Sequence, residues 1–244
     1  MTPKTLKKKS SSLRLLAPAA VLGLLAACGG TPTRYYTLAE STPPATAQRS
    51  TADTAALAIE MAPVALPERL ARPQLVVGRS GGMVPLRRAP RTEVEVLVQR
   101  SGGMLPLRDA SEAEVDVLEQ SRWSSSFEYE LRDALAAGIA GRLSAFDATK
   151  AGRPRGIPVY RIAVQLRDFD AQPGTRVDSA FGWSIRRGDG DALLTCQMRL
   201  SEAVSGGVDG VAVGAQRITG RLADEIARNV GALAANQAAN CPAA

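Results

Sequence analysis

The stretch "PVYRIAVQLRDFDAQPGTRVDSAFGWSIRR", Pro158–Arg187, decides the fold. Tyr160, Ile162, Val164 and Leu166 alternate with polar or small residues. Val177, Phe181, Trp183 and Ile185 place large apolar groups on one face of the return run. Successive side chains of a strand point to opposite faces, so each run predicts a half-buried strand. "AQPG" (Ala171–Gly174) supplies the turn between them. "RRGDGD" (Arg186–Asp191) is a second turn, and "ALLTCQMRLSEAV" (Ala192–Val204) brings Leu194, Cys196, Met198 and Leu200 inward at the same period. Residues 158–204 therefore predict a three-stranded antiparallel meander with one apolar face.

Such a face has to be covered, and two segments have the helical period to cover it. In "RWSSSFEYELRDALAAGIAGRLSAF" (Arg122–Phe146), Phe127, Leu131, Leu135, Ile139 and Leu143 recur every four residues, with Glu130, Arg132 and Asp133 as the polar outside. Ser125 followed by Glu128 forms a capping box with Ser125 as N-cap, and Trp123 is placed to pack back on the helix. From about Asp209 to Asn236, Val211, Ala215, Ile218, Leu222, Ile226, Val230 and Leu233 make a second stripe, with Asp224, Glu225 and Arg228 off it. The expected fold is α/β in composition (α+β): a mainly antiparallel sheet with two long amphipathic helices packed on it, in a single domain spanning 34–236.

Upstream of the helices the signals are shorter. "RYYTLA" (Arg34–Ala39), "ALAIEMAPV" (Ala56–Val64) and Gln74–Arg79 read as strands, while Glu40–Ala56 reads as a flexible connection. "VGRSGGMVPLRRAPRTEVEVL" (77–97) aligns without a gap to "VQRSGGMLPLRDASEAEVDVL" (98–118), with 14 of 21 positions identical. Two copies do not make a solenoid, which needs at least about three. The pair reads as a tandem duplication of one strand–turn–strand unit, either without function of its own or forming a hairpin that touches a partner.

The N-terminus fixes the compartment. "MTPKTLKKKSSSLR" is a positive region, Leu15–Leu25 is an apolar run of eleven residues, and two alanines precede Cys28. A membrane-spanning helix needs ~20 apolar residues, so this run reads as a cleaved signal peptide, residues 1–27. Leu25-Ala26-Ala27-Cys28 matches the bacterial lipobox: the Cys28 thiol takes a diacylglycerol and the peptidase cuts before it. Each buried methylene contributes ~0.8 kcal/mol, so several acyl chains anchor durably. Residues 28–33 become a lipid-proximal spacer and 237–244 a C-terminal tail. Gly29 follows the cysteine, and the absence of an aspartate there points to the periplasmic face of the outer membrane. The leader holds five of the 30 basic residues and none of the 24 acidic ones, so the formal charge falls from +6 to +1 in the mature chain. A nucleic-acid partner is not expected from so even a balance.

The chain has no histidine, which excludes histidine-based triads and metal sites. Asp168 and Asp170, two apart near a strand end, point to the same face, and paired carboxylates can do acid–base work or bind a cation; flanking a hairpin turn is the simpler role. "GDGD" (188–191) lacks the remaining ligands of a calcium loop. No catalytic residue, metal or cofactor is expected. Cys196 and Cys241 remain after lipidation of Cys28, and an oxidising periplasm invites a disulfide between them. The alternative is a buried Cys196 and an unpaired tail thiol.

A lipobox followed closely by "TRYYTL", then "IEMAPVALPERLARPQLVVGR", "LEQSRW" (Leu118–Trp123), "IAVQLRDFD" (Ile162–Asp170) and "RLADEIA" (Arg221–Ala227), in that order, resembles the ABC-type transport auxiliary lipoproteins of the PqiC/YmbA type. The duplicated 77–118 segment departs from that pattern. The resemblance implies a non-enzymatic docking subunit, in a ring of copies, beside an ABC permease complex and a periplasm-spanning MCE-type protein that move lipid between membranes and support membrane integrity. Another outer-membrane assembly or scaffolding lipoprotein is the alternative. An envelope-remodelling enzyme using Asp168 and Asp170 is the third reading.

Overall fold

In the computed structural model the described residues are 32–40, 53–78, 115–188 and 190–242, with the side chain of Ala192 left aside. The signal peptide, Cys28, most of the 40–56 connection and most of the duplicated pair, including its glycine turns and Val94, Val96 and Val98, lie outside them. A compact unit begins at Arg34. Its elements are β1 (Arg34–Tyr36), β2 (Ala58–Met61), a 3-10 turn (Glu68–Leu70), β3 (Gln74–Gly78), β4 (Val115–Trp123), α1 (Phe127–Leu143), β5 (Phe146–Asp147), α2 (Ala148–Ala151), β6 (Val159–Gln172), β7 (Arg176–Arg187), β8 (Ala192–Ala203) and α3 (Val208–Ala234).

The meander forms as its period dictates. β6, β7 and β8 pair antiparallel in sequence order, with Val164 opposite Trp183 and Trp183 opposite Cys196. β2 adds in parallel to β6, and β5 to β2, giving a five-stranded sheet β5-β2-β6-β7-β8. The remaining strands form a separate three-stranded sheet, β1-β4-β3, with β1 parallel to β4. The α+β class holds, but the sheet is divided in two, because β1 and β2 join partners far along the chain.

α1 and α3 pack beside each other on one face of the large sheet. Ile162, Leu166 and Ile185 on that face, Leu135 and Ile139 on α1, and Ile218, Leu222 and Ile226 on α3 are all at most 1 % exposed. Burying a leucine- or isoleucine-sized side chain contributes ~1.5–3 kcal/mol, so this layer is the main source of stability. Close approach of α3 to the sheet depends on Gly214, where a Cβ would collide with Val204 and come within 3.1 Å of Val177.

Two expectations about α1 need correcting. Its N-cap is Ser126, whose side chain makes no capping bond. The Ser125 hydroxyl instead donates to Glu130 Oε1 at 3.3 Å. Glu130 is also no part of the polar outside: it is buried, for a reason given by the N-terminal segment below. Glu225 of α3 is likewise buried and pairs with Arg228.

Candidate functional site

The chain enters the fold at Arg34 and runs to Glu40 as a strap across α1 and α3. Arg34 Nη1 meets Asp209 Oδ2 at 3.1 Å and the Tyr36 hydroxyl donates to Asp209 Oδ1 at 2.6 Å, fixing the start of the strap to the first turn of α3. Gln216 Nε2 donates to the Thr37 carbonyl at 2.8 Å, about two turns further along the same face of α3. Glu130 accepts from the Thr37 hydroxyl at 2.9 Å, the Leu38 amide at 3.0 Å, and the hydroxyls of Ser124 and Ser125. A carboxylate satisfied by four donors is stable in a buried site, and the donors are what the sequence hides. Leu38 beside it is 1 % exposed. At the far end Glu40 meets Arg142 Nη2 at 2.8 Å, and the Arg142 Nε meets Asp224. Glu40 is thus pinned, not part of a free connection, and Ala55 at the other end of the expected connection is buried.

The electrostatics follow from these contacts. Burial pushes the Tyr36 phenol above its ordinary value, and its hydrogen bond to Asp209 adds to the shift. Burial pulls against the charge on Arg142, but Glu40 and Asp224 outweigh it and the guanidinium is held more tightly protonated than usual.

The face of the large sheet opposite the helices is open and polar. A Cβ on Gly182 would come within 3.1 Å of the Arg167 guanidinium, so Arg167 lies flat over that glycine. Its Nη1 donates to Gln197 Oε1 at 2.9 Å. A cavity of about 440 Å³ is lined by Arg167, Asp168, Ala180, Gln197 and Arg199. A second hollow of about 310 Å³ shares Arg167 and is walled by Pro63, Ala65, Gln165 and Ser184. Arg167 lines both hollows, and apolar side chains, Phe181 and Met198 in the first and Trp183 in the second, lie beside it.

Asp168 and Asp170 share the open side, as their spacing suggests, but each has its own partner. Asp168 Oδ1 meets Arg69 Nη2 at 3.0 Å, and Asp170 Oδ2 accepts from Gln172 Nε2 at 2.9 Å. Among the described residues no group of three or more Cys, Asp or Glu side chains is placed to hold a metal ion. No described helix is long and apolar enough to cross a membrane.

Cys196 and Cys241 are joined in the structure, with Cα atoms 5.3 Å apart. The bond ties the tail to β8. A second tie runs from the buried Trp183 indole N–H to Asn229 Oδ1 at 3.0 Å, and from Asn229 Nδ2 to the Asn240 carbonyl at 3.0 Å.

Comparison with known proteins fits this architecture. A crystal structure of an uncharacterized protein superimposes with a TM-score of 0.54 at 16 % identity, over 82 % of this chain and 99 % of that one. A Xanthomonas campestris protein of family DUF330 is similar with a TM-score of 0.48 at 15 % identity, over 82 % and 94 % of the two chains. No curated protein matches. The family described as ABC-type transport auxiliary lipoprotein component matches residues 36–91 and 105–227, and the break falls inside the duplicated pair. With most of both sheets and both long helices inside the match, this chain belongs to the ABC-type transport auxiliary lipoprotein family.

Proposed function

We propose that the protein is a non-enzymatic docking subunit of an ABC/MCE-type intermembrane lipid-transport system, anchored through acylated Cys28 to the periplasmic face of the outer membrane. Family membership over 36–91 and 105–227, joined to a lipobox cysteine six residues before Arg34, carries the reading. The fold supports it in two ways. The core is closed over by α1 and α3, and Asp168 and Asp170 are engaged in an ion pair and a hydrogen bond of their own. Among the described residues the open sheet face is a large surface left for recognition, where Arg167 and Arg199 offer charge to an acidic segment of a periplasm-spanning MCE-type partner. Copies arranged in a ring would present that face repeatedly, and multivalency then raises the overall affinity without new contacts.

The test is in-cell photocrosslinking from a photoreactive residue at Arg199, with Arg228 on the helix side as the control position. Crosslinks to an MCE-type protein from 199 and not from 228 support the docking reading. Crosslinks from neither position, with the protein normally lipidated and abundant, reject it. Crosslinks to a β-barrel protein from 199 favour the scaffolding alternative.

A further inference from the structure

β8 is an outer strand of the large sheet, so one of its edges has no neighbouring strand among the described residues. Which residues turn toward that edge follows from one bond. The Val204 amide donates to the Thr175 carbonyl at 3.0 Å, and pairing with β7 runs on in register from Glu202 opposite Val177 to Leu194 opposite Ile185. In an antiparallel ladder the bonds to one neighbour fall on every second residue. Even-numbered residues of β8 therefore bond β7, and Thr195, Gln197, Arg199, Ser201 and Ala203 turn their N–H and C=O groups away from it.

Much of that edge is covered by the chain itself. Arg217 Nη2 donates to the Ala203 carbonyl at 3.1 Å, and Arg221 Nη1, about one turn further along α3, donates to the Ser201 carbonyl at 3.3 Å. The bonded sulfur of Cys241 lies 3.3 Å from the Thr195 carbonyl oxygen. Covering an outer strand in this way keeps other chains from pairing with it indiscriminately. Between these covers, no hydrogen bond from a described residue reaches the outward N–H or C=O of Gln197 or Arg199. The gap presents a donor and an acceptor on each of two alternate residues, the pattern that an extended main chain matches.

The side chains around the gap say what kind of segment fits. An added strand alternates its side chains as β8 does. On the open face they meet Arg199, which makes no ion pair among the described residues, and Arg167, held there by its bond to Gln197. On the helix side they meet Met198, partly buried against the core. The cavity of about 440 Å³ is lined by Gln197, Met198 and Arg199 and lies beside the gap. A second copy of β8 fits worse. Paired antiparallel over the same two residues, it sets Gln197 against Arg199 twice and brings the two Arg199 side chains onto the diagonal, where long like-charged groups meet.

We infer that the β8 edge holds its partner by strand addition: an extended segment reading acidic–apolar–acidic pairs its main chain with Gln197 and Arg199, sets its carboxylates toward Arg199 and Arg167, and packs its apolar residue on Met198. The inference rests on the docking reading above and adds how the segment is held.

The experiment uses the full lipidated protein in cells, with a photoreactive residue at Thr195, exposed beside the gap, alone or combined with Arg199→Gln or Arg199→Pro. Glutamine removes only the charge. Proline also removes an outward N–H, which an outer strand tolerates. The melting temperature of each variant checks the fold. Crosslinking to the transport partner should fall several-fold with Arg199→Gln and to background with Arg199→Pro. Undiminished crosslinking in folded Arg199→Pro overturns strand addition and leaves the docking reading standing. No crosslink from the unsubstituted, lipidated and abundant protein removes both. Crosslinks between two copies in place of a partner overturn the acidic occupant. Where Arg199→Pro fails to fold, hydrogen exchange of the wild type decides: slower exchange at the Gln197 and Arg199 amides in the purified complex than in the protein alone supports the inference, and unchanged exchange there overturns it.

Discussion

Replacing Cys241 with serine isolates the contribution of the tail tie. The bond closes a separation of 45 residues, from β8 through all of α3 to the tail. In the chain-entropy treatment a loop of that length costs the unfolded state ~13 cal/mol/K, or ~4 kcal/mol at 25 °C. Serine at 241 adds little cost of its own, because that position is exposed and the tail keeps its bond from Asn229 to the Asn240 carbonyl. Cys196 is 5 % exposed and remains as a small apolar side chain, so no polar group is stranded in the core. For a fold of this size ~1 kcal/mol moves the midpoint by ~2–4 °C, so Cys241→Ser should melt ~8–16 °C below the oxidised wild type. Chemically reduced wild type should match the variant. Cys196→Ser should fall lower still, since it also buries a hydroxyl against Trp183. Thermal and urea unfolding of the four samples decide the matter, with the thiol count checked by non-reducing mass spectrometry. Oxidised wild type melting with Cys241→Ser would refute the reasoning.

Three further outcomes follow from the strap and the core. Glu130→Ala leaves the Leu38 amide without its buried acceptor and should cost ~1–3 kcal/mol in urea unfolding, with faster amide exchange at Thr37 and Leu38; unchanged exchange there would contradict the anchoring role. Gly214→Ala forces α3 away from Val204 and Val177 and should cost ~1–3 kcal/mol, while Gly182→Ala meets only the movable end of Arg167 and should cost less. The raised phenol of Tyr36 contributes stability that is fully present below the unfolded tyrosine value of about 10 and is lost as pH rises through the folded value. Between pH 9 and 11, wild type should therefore lose more stability than Tyr36→Phe; parallel losses would show that the phenol titrates alike in both states.

The parts of the fold written in local periods were legible. The alternation of Tyr160–Leu166 and the four-residue stripe of α1 each carry their own answer, because a strand or helix buries one face wherever it sits. The parallel pairings of β1 with β4 and of β2 with β6 had no local signal, since they join segments 87 and about 100 residues apart. Glu130 shows why site residues are harder. A glutamate in the first turn of a helix reads as a surface charge that favours the helix dipole. Its burial is decided by Thr37 and Leu38, more than 90 residues upstream. Ser125 was a sound capping signal by spacing, yet Glu130 draws its hydroxyl away. Arg167 over Gly182 was likewise invisible, because only the pairing of β6 with β7 brings the two onto one face.

The central claim is tested most directly by purifying the tagged, lipidated protein from crosslinked envelopes and quantifying what accompanies it. Enrichment of an MCE-type protein together with an ABC permease, lost when Cys28→Ala abolishes anchoring, is the expected result. Enrichment of barrel-assembly proteins instead, or of no transport component from fully lipidated protein, would contradict a role in intermembrane lipid transport.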